Sequence, residues 1–246
     1  MIEIKPMDEG DIHIDCMHHG PVDPSSPPRR VEKEWQDAPN LPPHPWSNEI
    51  IAELAKEYRR ISEGWAGDPA REFMREMIQQ HGSCAMLAWD AGKIVGHLRF
   101  YPLTIAQLLV HASPENQGLL IEDGATAFEP DPETLWVQCV MTCKPYEKPE
   151  EAKKAGARKG VGLKLARALI TWAKEHGWKR IVKQAHSDLD CFYGTCGGGG
   201  KAFWEKAGFE VVGTLRPDNS FWGDYWTDII ERQRKDKGMT AEEVWT

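Results

Sequence analysis

The sequence predicts an α/β (α+β) fold: one mixed sheet flanked by helices. Three observations predict it. A hairpin pattern with a glycine turn lies at 84–101. A strand–helix–strand run, from Thr134 to Gln184, has the order that yields parallel neighbours. Helical stripes then alternate with short β-branched runs through the C-terminal half.

Element by element, Ile2 to Ile4 alternate with polar residues and read as a first strand. From Asp8 to Trp46 the chain is dense in Pro, Asp, His and Ser, which excludes long regular structure. It reads as an irregular arm. Ser47 caps a helix carrying Ile50, Ile51, Leu54, Tyr58, Ile61 and Trp65 at helical spacing. Asp68-Pro69 starts a second helix, with Phe73, Met74, Met77 and Ile78 as its apolar face and Gly82 as its stop. The hairpin follows, Cys84–Trp89 and Ile94–Tyr101 around Asp90-Ala-Gly-Lys93. Leu103 to His111 extends that strand or forms another. Thr134–Thr142 is a near-continuous β-rich run, expected to be covered on both faces.

From Gly160 a helical stripe runs through Gly162, Leu165, Ala166, Leu169, Ile170 and Ala173 to His176-Gly177. Arg180–Gln184 is a short strand, and 188–200 a loop with four consecutive glycines. Lys201–Ala207 is a short helix. Phe209–Leu215 and Phe221–Ile230 are expected as the last two strands, and 231–246 as a polar tail open to helix.

The chain has 246 residues, 41% hydrophobic and 28% charged, an ordinary globular balance. Its net charge of -8 argues against nucleic-acid or anionic-membrane partners, because phosphate neutralisation needs a basic face. No apolar run approaches the roughly 20 residues that span a bilayer. Met1-Ile-Glu-Ile-Lys-Pro lacks a basic region followed by an apolar core. Six cysteines in such a length read as reduced thiols in a cytoplasmic protein.

The most informative segment is strand Leu135–Thr142, then Arg158-Lys-Gly-Val-Gly-Leu163, then a helix. A glycine turn entering a helix aims backbone N–H groups at one point, and the helix dipole adds positive potential there. Lys153, Lys154, Arg158 and Lys159 supply a cationic surround on an acidic chain. Leu165 stands where a dinucleotide fingerprint needs its third glycine, and no Gly-Lys-Ser/Thr of a nucleotide-triphosphate loop follows.

Three features together resemble the GNAT N-acetyltransferase superfamily: the hairpin Ala88–His97, the turn Gly160-Val-Gly162 with its helix, and Ala202-Phe-Trp-Glu-Lys-Ala-Gly-Phe-Glu-Val-Val-Gly213. The likeness covers roughly residues 84–230, in the right order. It implies a mostly antiparallel sheet splayed between two parallel central strands, within one acyltransferase domain over 1–246. It implies acetyl-CoA as co-substrate, an amine acceptor and direct attack in a ternary complex, with no metal. Backbone groups of Cys139, Val140 and Met141 would pair with the pantetheine arm like an added strand. Lys159, Gly160, Val161, Gly162 and Leu163 would hold the pyrophosphate through N–H groups, beside Arg158.

The chain departs from the pattern at four places, one of them the segment from Cys143 to Ala157, which is longer than usual. Ala157 stands where the family has Arg or Gln. Trp204, counted among the cofactor-binding residues, replaces a common thiolate-protonating tyrosine, and its indole N–H is not a usable acid. The family's asparagine falls near Gly197. Tyr193 is the first candidate general acid, with Cys191 or Cys196 second; packing explains Tyr193 equally well. Glu133 is a candidate general base or a solvated turn carboxylate. His13, Cys16, His18 and His19 cluster without a second ligand pair, so an ordinary loop is the better reading than zinc. Competing readings are a catalytically inactive CoA-binding sensor and a thiol- or metal-dependent variant of the fold. A homodimer remains open. Trp35, Trp46, Trp222 and Trp226 fit an apolar acceptor pocket or plain core packing.

Overall fold

The structure is a computed structural model that describes residues 2–12, 23–25, 68–104, 132–142, 160–189, 191, 199–213 and 223–244. The strands are β1 (Glu3–Pro6), β2 (Ala85–Asp90), β3 (Lys93–Pro102), β4 (Thr134–Thr142) and β5 (Arg180–Val182). The helices are α1 (Asp68–His81), α2 (Val161–Glu175), α3 (Lys201–Ala207), α4 (Gly223–Asp236) and α5 (Ala241–Val244). The sheet order is β1-β2-β3-β4-β5. The first three pairings are antiparallel and β4–β5 is parallel, the mixed, mostly antiparallel plan expected.

The hairpin turns on Ala91 and Gly92, both at positive φ (49° and 77°), between the paired Asp90 and Lys93. Two left-handed residues give the turn the twist that its flanking strands need. On one face of the sheet, α2 buries Val161, Leu165, Ala166, Leu169, Trp172 and Ala173 against Met86, Leu98, Phe100, Leu135 and Val137. Each fully buried leucine there contributes about 1.5–3 kcal/mol. Gly96 permits the close seating of α2. A Cβ on it would lie 3.2 Å from Leu165 Cδ1 and Val161 Cγ1. On the other face, Phe73, Met74 and Met77 of α1 pack with Met7, Leu87, Ile94 and Tyr101.

β4 contains a bulge. Its register with β3 passes from Phe100↔Val137 to Arg99↔Cys139, leaving Gln138 as the extra residue. Side-chain parity flips there. Leu135 and Val137 face α2 before the bulge and Val140 after it, while Trp136 and Met141 face α1.

Two expected strands are absent among the described residues. Phe209–Gly213 is irregular: Gly208 turns left-handed (φ 102°), and the Phe209 N–H returns to Trp204 O to close α3. Val211 and Val212 are 52% and 78% exposed, so neither packs into a sheet. Phe221–Ile230, expected as a strand, overlaps helix α4 instead. Ile230 packs with Leu189 and Val244, and Glu231 pairs with Arg234 and Lys235 at helical spacing. The tail is helical, as its reading allowed. β3 ends at Pro102, and residues 105–111 of the expected Leu103–His111 extension or further strand lie outside the described residues. The expected helix at 47–65, most of the 8–46 arm and the segment 143–159 lie outside the described residues. Among the described residues no helix is long and apolar enough to cross a membrane.

Candidate functional site

The parallel ladder has three rungs: Thr134–Arg180, Leu135–Ile181 and Trp136–Val182. β4 then runs on to Thr142 while the chain after Val182 leaves it. The two strands fork. At the fork, Lys183 Nζ donates to the Gln138 carbonyl at 2.9 Å, taking the place of the next ladder bond. That carbonyl therefore points to the open side. Strand alternation puts the backbone groups of Val140 and Thr142 on the same side and turns those of Cys139 and Met141 towards β3. The Gln138 side-chain oxygen is buried and has no hydrogen-bond partner among the described residues.

The second arm of the fork runs from Lys183 to Ser187. His186 bridges Gly200, and its carbonyl accepts the Lys201 N–H at 2.8 Å. Burial, then the charge of Lys183, pushes the His186 imidazole down to about 4, so it is neutral at neutral pH.

The glycine turn completes the opening. Gly160 is the left-handed N-cap of α2 (φ 70°, ψ 22°), a conformation that favours glycine. A Cβ there would meet nothing within 4 Å, so the backbone angle, not space, calls for glycine. The N–H groups of Val161, Gly162 and Leu163 belong to the first turn, which has no helical acceptors. Among the described residues no side chain caps them, and no acidic residue lies in that turn. Gly162 is needed for space: a Cβ would lie 3.2 Å from Phe203 Cε2 and 4.0 Å from Thr142 Cγ2. The end of β4, the start of α2 and the side of α3 thus converge on Gly162. This site can take an extended chain along β4 and an anion at the helix start.

The other expected residues fall in different places. Trp204 is buried, with its indole N–H donated to Gly199 O at 2.9 Å and its ring against Phe203 and Phe209. Glu133 is exposed at the far end of β4, paired with Lys179 at 2.6 Å. At about 3.3 Å per residue, it sits roughly 30 Å from Thr142. Cys191 packs beside Leu189 and Ile230, its N–H on Gln233 Oε1 at 2.9 Å. Tyr193, Cys196, Arg158, Lys159, Lys153, Lys154 and the His13–His19 cluster lie outside the described residues, as do the side chains of Trp35, Trp46, Trp222 and Trp226.

Several residues of interest were not singled out from sequence. Lys183 sits in the fork on Gln138 O, and Phe203 lies against Gly162. His97 and Arg99 are buried polar residues of β3, alternating with Leu98 and Phe100. Their signal was available: two basic side chains at period two within an apolar strand. Beside them, burial pushes the Cys84 thiol up to about 12 against the opposing charge of Arg99, leaving it unreactive at neutral pH.

No protein-family model matches this chain, and no curated protein matches it. Among solved structures it is similar to a ribosomal-protein-alanine N-acetyltransferase from Brucella melitensis biovar Abortus 2308, at 14% identity and a TM-score of 0.31, over 75% of this chain and 80% of that one.

Proposed function

We propose that the protein is an acyl-CoA-dependent N-acyltransferase that moves an acetyl group from acetyl-CoA to an amine. One observation carries this reading: a strand fork opens beside an uncapped, glycine-led helix start. The N–H groups of Val161, Gly162 and Leu163 would hold the pyrophosphate, with Arg158 and Lys159 beside them. The open side of β4 beyond the Lys183–Gln138 contact, presented by Val140 and Thr142, would take the pantetheine arm. The Val140 N–H is the donor suited to polarise the thioester carbonyl. Acetyl-CoA supplies the activated acyl group; the chain binds it, orients it and excludes water.

Proton handling is proposed as follows. The Trp204 indole N–H is committed to Gly199 O, so Trp204 serves packing. Tyr193 is the proposed acid for the leaving sulfur. Cys191 ranks behind it, beside Gln233. Glu133 is engaged by Lys179, and the roughly 23 Å along β4 between it and Val140 favours loss of the amine proton to water. The acidic balance of the chain suits a cationic, amine-bearing acceptor.

Calorimetric titration with acetyl-CoA tests the binding step, and absence of binding at high micromolar concentration removes the reading. The engaged Trp204 favours one other reading, a CoA-binding module without turnover. An amine panel with thiol-release detection separates the two.

A further inference from the structure

We propose that Lys183 is a catalytic residue of this acyl transfer: its ammonium, seated on the Gln138 carbonyl in the β4–β5 fork, meets the negative charge that develops on the thioester. The inference rests on the acyltransfer reading.

Its geometry is specific. β5 ends at Val182, and Lys183 is the next residue. The side chain turns inward, is half-buried, and donates to Gln138 O at 2.9 Å. Gln138 is the bulge residue of β4, and Val140 follows on the same side, about 7 Å further along. A cation is therefore fixed on the strand edge where the acyl arm would lie. Half-burial strengthens its field relative to a surface ammonium. The nearby His186 is neutral at neutral pH and adds no competing charge, while Arg180 of β5 is turned to Thr134 Oγ1.

In the transfer, a bond forms between the amine nitrogen and the carbonyl carbon, and the carbon–sulfur bond breaks. The bonding pair leaves on sulfur, and the amine proton goes to water. Lys183 keeps its protons throughout and forms no bond. It stabilises charge first on the carbonyl oxygen and then on the sulfur.

The test needs no acceptor. The thiol of CoA bound to the protein is titrated by the ultraviolet absorbance of its thiolate, in the unaltered protein, Lys183→Met and Lys183→Arg. The bound thiol is expected at least about one unit below free CoA, as a nearby opposite charge requires. Lys183→Met should return it to the free value, and Lys183→Arg should keep most of the shift. An unshifted thiol in the unaltered protein overturns the assignment, even if Lys183→Met fails to fold. So does a shift that survives Lys183→Met. If the unaltered protein binds no CoA, the acyltransfer reading itself falls, and the Lys183 role with it.

Discussion

Among the described residues, helices α2 and α3 each have a glycine at the N-cap, and the two starts are built in opposite ways. At α2, Gly160 is exposed and left-handed, and no side chain among the described residues caps the first-turn N–H groups. At α3, Gly200 is buried and extended (φ -66°, ψ 172°). There the Asp188 carboxylate accepts the Ala202 N–H at 3.0 Å, and the Trp204 indole closes on Gly199. Gly199 itself has no room for a side chain, since a Cβ would come within 2.2 Å of Phe203 Cδ1. One glycine serves a backbone angle and leaves a helix end open. Gly199 serves space and helps seal one. Glycine before a helix is thus not a ligand signal by itself; what the neighbouring side chains do with the free N–H groups decides it.

That contrast can be broken in four ways. The largest effect is expected at the open start. Gly160→Glu puts a strained backbone and a carboxylate where an anion should bind, and acetyl-CoA affinity should fall at least about 100-fold. Unchanged affinity by calorimetry would make this turn structural. At the sealed start, Gly199→Ala should cost about 1–3 kcal/mol through overpacking, read as a lower melting temperature with CoA affinity retained. A loss of affinity without destabilisation would reverse the roles assigned here.

The third test uses acidity. The His186 pKa is depressed in the folded protein, so the unfolded chain binds the extra proton between about pH 6.5 and 4. Its contribution to stability is complete above 6.5 and is lost as pH falls through that window. Chemical denaturation at stepped pH should show this slope, and His186→Gln should flatten it. The smallest effect is Asp188→Ala, which removes a side-chain acceptor at the α3 start and should cost about 1 kcal/mol. Asp188→Asn should recover most of it; equal losses in both variants would point to the charge rather than the hydrogen bond.

Legibility followed the range of the interactions. The β2–β3 hairpin, β4 and α2 carry strong local signals: a glycine turn, a dense β-branched run and a 3.6-period stripe. Gly160 was readable for the same reason. Residues 221–230 were misread because Phe221, Trp222, Tyr225, Trp226, Thr227, Ile229 and Ile230 all favour strands. The helix prevails there through Ile230 on Leu189 and Val244 and the Glu231 ion pairs, none visible as a strand pattern. Lys183 was missed for a related reason. Its partner is a main-chain carbonyl 45 positions away, and no local spacing announces such a contact. The bulge at Gln138 likewise shows only in the register against β3.

β1 carries a consequence for how the chain comes into being. Glu3 lies opposite Trp89, so β1 must wait for its β2 partner until more than eighty further residues have been added. At about 5–20 residues per second of synthesis, that is a delay of roughly 4–16 seconds. β2 and β3, joined by a two-residue turn, can pair within microseconds of emerging. The hairpin is therefore the natural template of this sheet, and β1, although synthesised before it, is a late addition to its edge.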